Sequence, residues 1–98
     1  MRVEFADQHL SKICTDEAHR LGLPIAVIKS ARKKLLALEA ASDERTLRNL
    51  KSLNYKKLTG DRDGQRQIRI NDQYRIVFTL DENTKPHTVT IIEIGDTH

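Results

Sequence analysis

Apolar positions along the chain follow two periods. Through residues 7–50 they recur at spacings of three and four, the helical period; from about residue 66 they recur at every second position, the strand period. In the helical half, Asp7 is expected to N-cap a helix running to about Arg20, with Leu10, Ile13, Cys14 and Leu21 on its apolar side and Gly22 closing it. Pro24 suits the first turn of a second helix, in which Ile25, Ile28, Ala31, Leu35 and Leu38 form a core stripe. Ser42 or Asp43 caps a short third helix through Leu47 and Leu50, and residues 52–57 read as a linker. Ahead of the helices, Val3 and Phe5 alternate weakly in a short first strand.

The strand half turns on a hairpin. Arg66, Ile68 and Ile70 share one face of its first strand, and Tyr74, Ile76, Phe78 and Leu80 share one face of its second. All are even-numbered, so cross-strand partners must sum to an even number, which predicts a three-residue loop, Asn71-Asp72-Gln73, and sets Arg69 opposite Arg75. Residues 81–86 read as a turn and 87–94 as a β-branched final strand. The order β-α-α-(α)-β-β-β predicts an α+β fold: one domain over residues 1–98, with a small, mainly antiparallel sheet packed against two to three N-terminal helices.

Two opposed guanidiniums repel by some fraction of about 1 kcal/mol. Either they are solvated on the wet face of a sheet or they serve to hold an anion, and the rest of the charge pattern bears on the choice. The net charge is a modest +3, but Lys and Arg are dense at 29–34, 45–57, 62–69 and 75, whereas the last eighteen residues set only Lys85 against Asp81, Glu82, Glu93 and Asp96. Such clustering points to a polyanion, RNA or an acidic protein segment. Lys29, Arg32, Lys33 and Lys34 occupy the outer circumference of the second helix, a face that is ordinarily just solvated and otherwise contacts RNA or a partner.

With 32% charged and 38% hydrophobic residues the composition is that of an ordinary globular protein. No stretch approaches the roughly 18 apolar residues of a membrane span. The N-terminus lacks an apolar leader core, so a cytoplasmic location is expected. Cys14 has no second cysteine to pair with and is expected in the core rather than as a reactive thiol.

Gly60-Asp61-Arg62-Asp63-Gly64 has neither the Walker spacing nor the dinucleotide fingerprint. His9, His19, His87 and His98 share no ligand spacing with one another or with Cys14, so neither a metal nor a cofactor is implied. No Ser or Cys nucleophile signature occurs. Cleavage of RNA through its own 2′-hydroxyl needs only a proton acceptor, a proton donor and cations for the charge building on phosphate. His98 suits proton transfer, Asp96 two residues earlier can orient it, and Lys56, Arg69 and Arg75 can hold the phosphate.

These residues carry a resemblance. The Gly-Asp-Arg-x-Gly-Gln-x-x-Ile-Arg-Ile-Asn-Asp-Gln-x-Arg-Ile run of residues 60–76, the Ala31-Arg32-Lys33-Lys34-Leu35-Leu36 helix before it and the Glu93-Ile94-Gly95-Asp96-Thr97-His98 end resemble the HigB toxins of the RelE/ParE superfamily from about residue 24 onward. The resemblance implies a toxin that cleaves mRNA on the translating ribosome and is neutralised by a helix-turn-helix antitoxin of the HigA kind. In that picture His98 is the general acid, Arg69 and Arg75 grip the phosphate, Asp96 orients His98, and Lys56 supplies charge or base function. Lys29, Arg32, Lys33, Lys34, Arg45, Arg48, Lys57, Arg62 and Arg66 are the expected contacts to RNA or ribosome. The chain departs from the family pattern at Lys56, where a histidine is common, at Thr59, where a lysine is frequent, and at Thr97, where a tyrosine is typical. Two alternatives stand beside this reading: inhibition of DNA gyrase, as ParE relatives achieve on a similar fold, and a catalytically weak chain acting mainly as the antitoxin's partner.

Overall fold

A computed structural model describes residues 1–96 of the protein. In chain order its elements are β1 (Arg2–Phe5), α1 (Gln8–Ser11), α2 (Ile25–Ala40), α3 (Glu44–Asn49), β2 (Lys56–Lys57), β3 (Arg66–Arg69), β4 (Tyr74–Asp81) and β5 (Thr88–Asp96), with short 3₁₀ turns between them. The fold is α+β. One five-stranded sheet runs in the order β1-β5-β4-β3-β2, antiparallel except for the outer β1–β5 pair.

The central hairpin follows parity. Arg66 pairs with Phe78, Gln67 with Val77, Ile68 with Ile76 and Arg69 with Arg75. The loop holds this register because the Asn71 side-chain oxygen accepts the backbone N–H groups of Gln73 and Tyr74, both at 2.8 Å. On the helix side, Ile68, Ile70, Ile76, Phe78, Val89 and Ile91 pack against Val27, Ile28, Ala31, Leu35 and Leu38 of α2. Phe78 is fully buried, a contribution of about 2–3 kcal/mol from its apolar area. The α2 stripe differs at its start: Val27 is buried and Ile25 is 67% exposed, because about 100° of rotation per residue carries Ile25 past the rim of the buried arc.

The expected helix from Asp7 to Arg20 is broken. Asp7 does cap it, accepting the His9 N–H at 2.7 Å, but α1 stops at Ser11 and two 3₁₀ turns follow, Lys12–Cys14 and Ala18–Leu21. Thr15 is the cause. Its backbone is extended (φ −120, ψ 173), and its hydroxyl donates to the Lys12 carbonyl at 2.8 Å and accepts the Glu17 N–H at 3.1 Å, replacing helical bonds. Arg32 then fixes the break, donating through Nε to the Ile13 carbonyl (2.6 Å) and through Nη2 to that of Thr15 (2.7 Å). The turn keeps Ile13 in the core and leaves Cys14 exposed, which corrects the core assignment for that cysteine.

Residues 52–57 are more than a linker. Asn54 takes a left-handed conformation (φ 47) and delivers Lys56 and Lys57 extended beside Gln67 and Arg66, forming β2. Two residues with lysine side chains make an edge that resists further strand pairing.

β5 carries one extra residue. Val77 pairs with Glu93 but Phe78 pairs with Ile91, so Ile92 is a bulge. The side-chain alternation is reset there: Val89, Ile91 and Ile94 all pack on the helix side, and Glu93 turns to the other face.

Candidate active site

The face of the sheet away from the helices collects the polar residues of four strands. Period-2 alternation and the registers set Lys56, Gln67, Arg69, Arg75, Val77 and, after the bulge, Glu93 on that face. Arg75 is its centre. Its Nη1 donates to Gln67 Oε1 at 2.9 Å, its Nη2 lies 3.4 Å from Glu93 Oε2, and its Nε is buried with no hydrogen-bond partner among the described residues. Val77, fully buried yet outside the helix-side cluster, is the apolar floor beneath.

Arg62 reaches the same carboxylate from a loop. The Leu58 N–H donates to the Gln65 carbonyl (2.9 Å), and Gly60 (φ 69) and Gly64 (φ 91) take left-handed conformations that close the intervening turn. Arg62 Nη2 then donates to Glu93 Oε1 at 2.7 Å and Nη1 to Gln65 Oε1 at 3.1 Å. Glu93 thus joins two guanidiniums, while among the described residues Arg69 reaches only the exposed Asp72 at 3.9 Å and Lys56 is exposed. The arrangement presents arginine donors to an anion, with a carboxylate at their side.

The expected site residues divide. Lys56, Arg69 and Arg75 share this face. Asp96 does not: it pairs with Tyr74, which packs on the helix side, and its Oδ2 accepts from Gln73 Nε2 at 3.0 Å. His98 lies outside the described residues. Of the expected RNA contacts, Lys29, Lys33, Arg45 and Arg48 are exposed, whereas Arg32 is engaged with backbone carbonyls and Lys34 donates to the Ser52 carbonyl at 3.3 Å.

Arg66 turns inward. Its Nε donates to Glu44 Oε2 (3.1 Å) and to the Tyr55 hydroxyl (2.9 Å), Tyr55 donates to the same oxygen at 2.7 Å, and Arg48 and Lys57 approach Glu44 Oε1 at 2.9 and 3.8 Å. Burial opposes ionisation of Glu44, but the bonds from Tyr55 and Arg66 and the charges of Lys57 and Arg48 outweigh it and hold the carboxyl below its usual value. Burial first, then the bond to Glu44, pushes Tyr55 up to about 12. This cluster ties α3 to β3, so Arg66 links elements rather than standing free at the surface.

At the opposite edge, an apolar groove of about 260 Å³ is lined by Val3, Phe5, Cys14, Leu35 and Leu36, with Arg32 and Glu39 at its rim. Partial burial raises the Cys14 thiol against the lowering effect of Arg32. It is neither a core cysteine nor an activated one.

Glu93, Gln67, Glu44 and Tyr55 were not among the residues the sequence singled out. The available signal for Glu93 is its run, Ile91-Ile92-Glu93-Ile94: strict alternation cannot set both Ile91 and Ile94 on the core face, whereas a bulge between them does.

A mostly antiparallel sheet with helices on one face is an architecture this chain shares with solved bacterial toxins. A toxin from Agrobacterium tumefaciens described as YoeB/ParE superposes with a TM-score of 0.63 over all of both chains at 11% identity. YafQ from E. coli strain BL21(DE3) gives 0.60 over 99% of this chain and 94% of that one at 13% identity. The YoeB–YefM complex from Staphylococcus aureus gives 0.58 over 100% and 98% at 17% identity. At the sequence level, the Toxin HigB-1 of Vibrio cholerae serotype O1 (strain ATCC 39315 / El Tor Inaba N16961) is 32% identical over 78 residues, 80% of this chain and 82% of that one. Residues 3–90 match the family model of the HigB-like toxin, described as the RelE-like toxin of type II toxin–antitoxin system HigB. The chain belongs to this HigB-like toxin family.

Proposed function

We propose that this toxin is a metal-independent endoribonuclease that cleaves mRNA on the translating ribosome, thereby inhibiting translation, and that a helix-turn-helix antitoxin of the HigA kind neutralises it. The observation that carries the reading is the convergence of Lys56, Arg69 and Arg75 on one open face, with a buried Nε of Arg75 left to donate. A chain selected for stability alone gains nothing from guanidiniums set opposite each other, whereas a phosphodiester uses both. Arg75 and Arg69 hold the scissile phosphate and stabilise the charge that builds on it, Lys56 adds positive charge, and His98, oriented by Asp96, protonates the leaving 5′ oxygen. The exposed Lys29, Lys33, Arg45 and Arg48 meet ribosomal RNA.

The test is induced expression in a bacterium with cleavage sites mapped on mRNA, with and without translation, for wild type and His98→Ala. Cuts that require translation and vanish in the variant support the nuclease and its general acid. Growth arrest without cuts moves the target to DNA gyrase, and no arrest makes the chain a binding partner only.

A further inference from the structure

We propose that Glu93 is the general base of the reaction, accepting the proton of the RNA 2′-hydroxyl that attacks the phosphate held by Arg75 and Arg69. The inference rests on the endoribonuclease reading above. The bulge at Ile92 turns Glu93 onto the arginine face, whereas Asp96 pairs with Tyr74 on the helix side. The charged groups facing that carboxylate are Arg62 from the loop and Arg75 from β4, with Arg69 of β3 and Lys56 of β2 further along the same face.

The two bonds that Glu93 makes are unequal. Arg62 holds it at 2.7 Å, while its contact to Arg75, at 3.4 Å, is long for a charged pair. An arriving phosphate can therefore take Arg75, whose Nε is a donor without a partner among the described residues, while Arg62 keeps the carboxylate in place. A carboxylate so close to a phosphate site costs about 1 kcal/mol or more in repulsion, and proton acceptance gives that placement a use. As the proton passes from O2′ to a carboxylate oxygen of Glu93, the O2′–P bond forms and the P–O5′ bond breaks. The leaving O5′ takes a proton from the general acid, assigned above to His98. The products are a 2′,3′-cyclic phosphate and a 5′-hydroxyl end, and protonated Glu93 returns its proton to water.

The purified toxin is added to ribosomes translating a defined mRNA, as wild type, Glu93→Gln and Glu93→Ala, with ribosome binding measured alongside. Glu93→Gln is expected to cut about 100-fold or more slowly with binding retained. Glu93→Ala is expected to recover part of its rate when formate is added, which a purely structural role would not allow. Glu93 is one-third exposed and its ion pairs at the surface add little to stability, so both variants fold, as thermal melting will verify. A Glu93→Gln toxin that cuts at the wild-type rate or faster, or a Glu93→Ala toxin deaf to formate, overturns the base role and leaves Glu93 a counter-ion. A wild type that cuts no translated mRNA overturns the endoribonuclease reading itself, and the base role with it.

Discussion

Arg69 stands directly opposite Arg75 in the β3–β4 ladder, yet the two side chains are held differently. Arg75 is bound by Gln67 at 2.9 Å and approaches Glu93 at 3.4 Å, whereas Arg69 extends toward an exposed Asp72 at 3.9 Å. Like charges directly opposed across a strand pair destabilise by up to about 1 kcal/mol. Replacing Arg69 with Gln removes that repulsion and breaks no strong bond. The Arg69→Gln toxin is expected to be as stable as wild type or up to about 1 kcal/mol more so in urea unfolding, while its mRNA cleavage falls. Arg75→Gln is expected to lose both activity and stability, since it removes the 2.9 Å bond to Gln67 from a largely buried side chain. An Arg69→Gln variant that is clearly destabilised would mean the ladder needs this guanidinium for structure.

The Glu44–Tyr55–Arg66 cluster sets limits on stability at both ends of the pH range. Glu44 is held below the usual carboxylate value, so the stability it contributes is present above that value and is lost as pH falls through the lowered one. Tyr55, pushed up to about 12 from 10.0, contributes below pH 10 and loses that contribution as pH rises from 10 toward 12. Denaturant titrations across pH are expected to show the alkaline decline shrinking in Tyr55→Phe and the acid decline shrinking in Glu44→Gln. At neutral pH, Glu44→Gln is expected to cost about 1–3 kcal/mol, because the partly buried Arg66 is left without its counter-charge. Identical pH profiles for wild type and both variants would contradict this account.

Cys14 offers a simpler check. Partial burial raises its thiol, so less thiolate is present at neutral pH than in an unstructured cysteine. Alkylation by iodoacetamide is expected to be slower in the folded toxin than in the same chain in denaturant. Faster reaction in the folded state would point to an activated thiol.

Features set by local periodicity and turn chemistry were legible in the sequence, and those set by a neighbour were not. The three-residue loop and the Arg69–Arg75 pairing follow from parity alone, and Gly22 closes the first helical segment in a left-handed conformation, as expected of a C-cap glycine. The break at Thr15 was hidden because Leu10, Ile13 and Leu21 keep helical spacing across it, and its cause, the hydroxyl together with Arg32 of α2, lies partly in another element. Glu93 was hidden for a different reason. Uninterrupted alternation in β5 puts it with Val89 and Ile91 toward the helices, and one inserted residue puts it among the arginines instead. The same reset sets Asp96 across from Tyr74.

Arg32 and Lys33 are adjacent on α2 and the sequence sets both on one basic face, but their surroundings separate them. Arg32 donates to the Ile13 and Thr15 carbonyls at 2.6 and 2.7 Å, while Lys33 is exposed. Removing Arg32 leaves two carbonyl acceptors of the broken helix without their charged donor, so Arg32→Ala is expected to destabilise by about 1–3 kcal/mol. Lys33→Ala, away from any such feature, is expected to stay within about 0.5 kcal/mol of wild type. Ribosome binding is expected to divide the other way. Charge reversal at Lys29 and Lys33 should weaken it and flatten its dependence on salt, because fewer counter-ions are released per complex. Unchanged affinity and salt slope in the doubly reversed variant would show that α2 faces solvent, and would confine RNA contact to the sheet face and to Arg45 and Arg48.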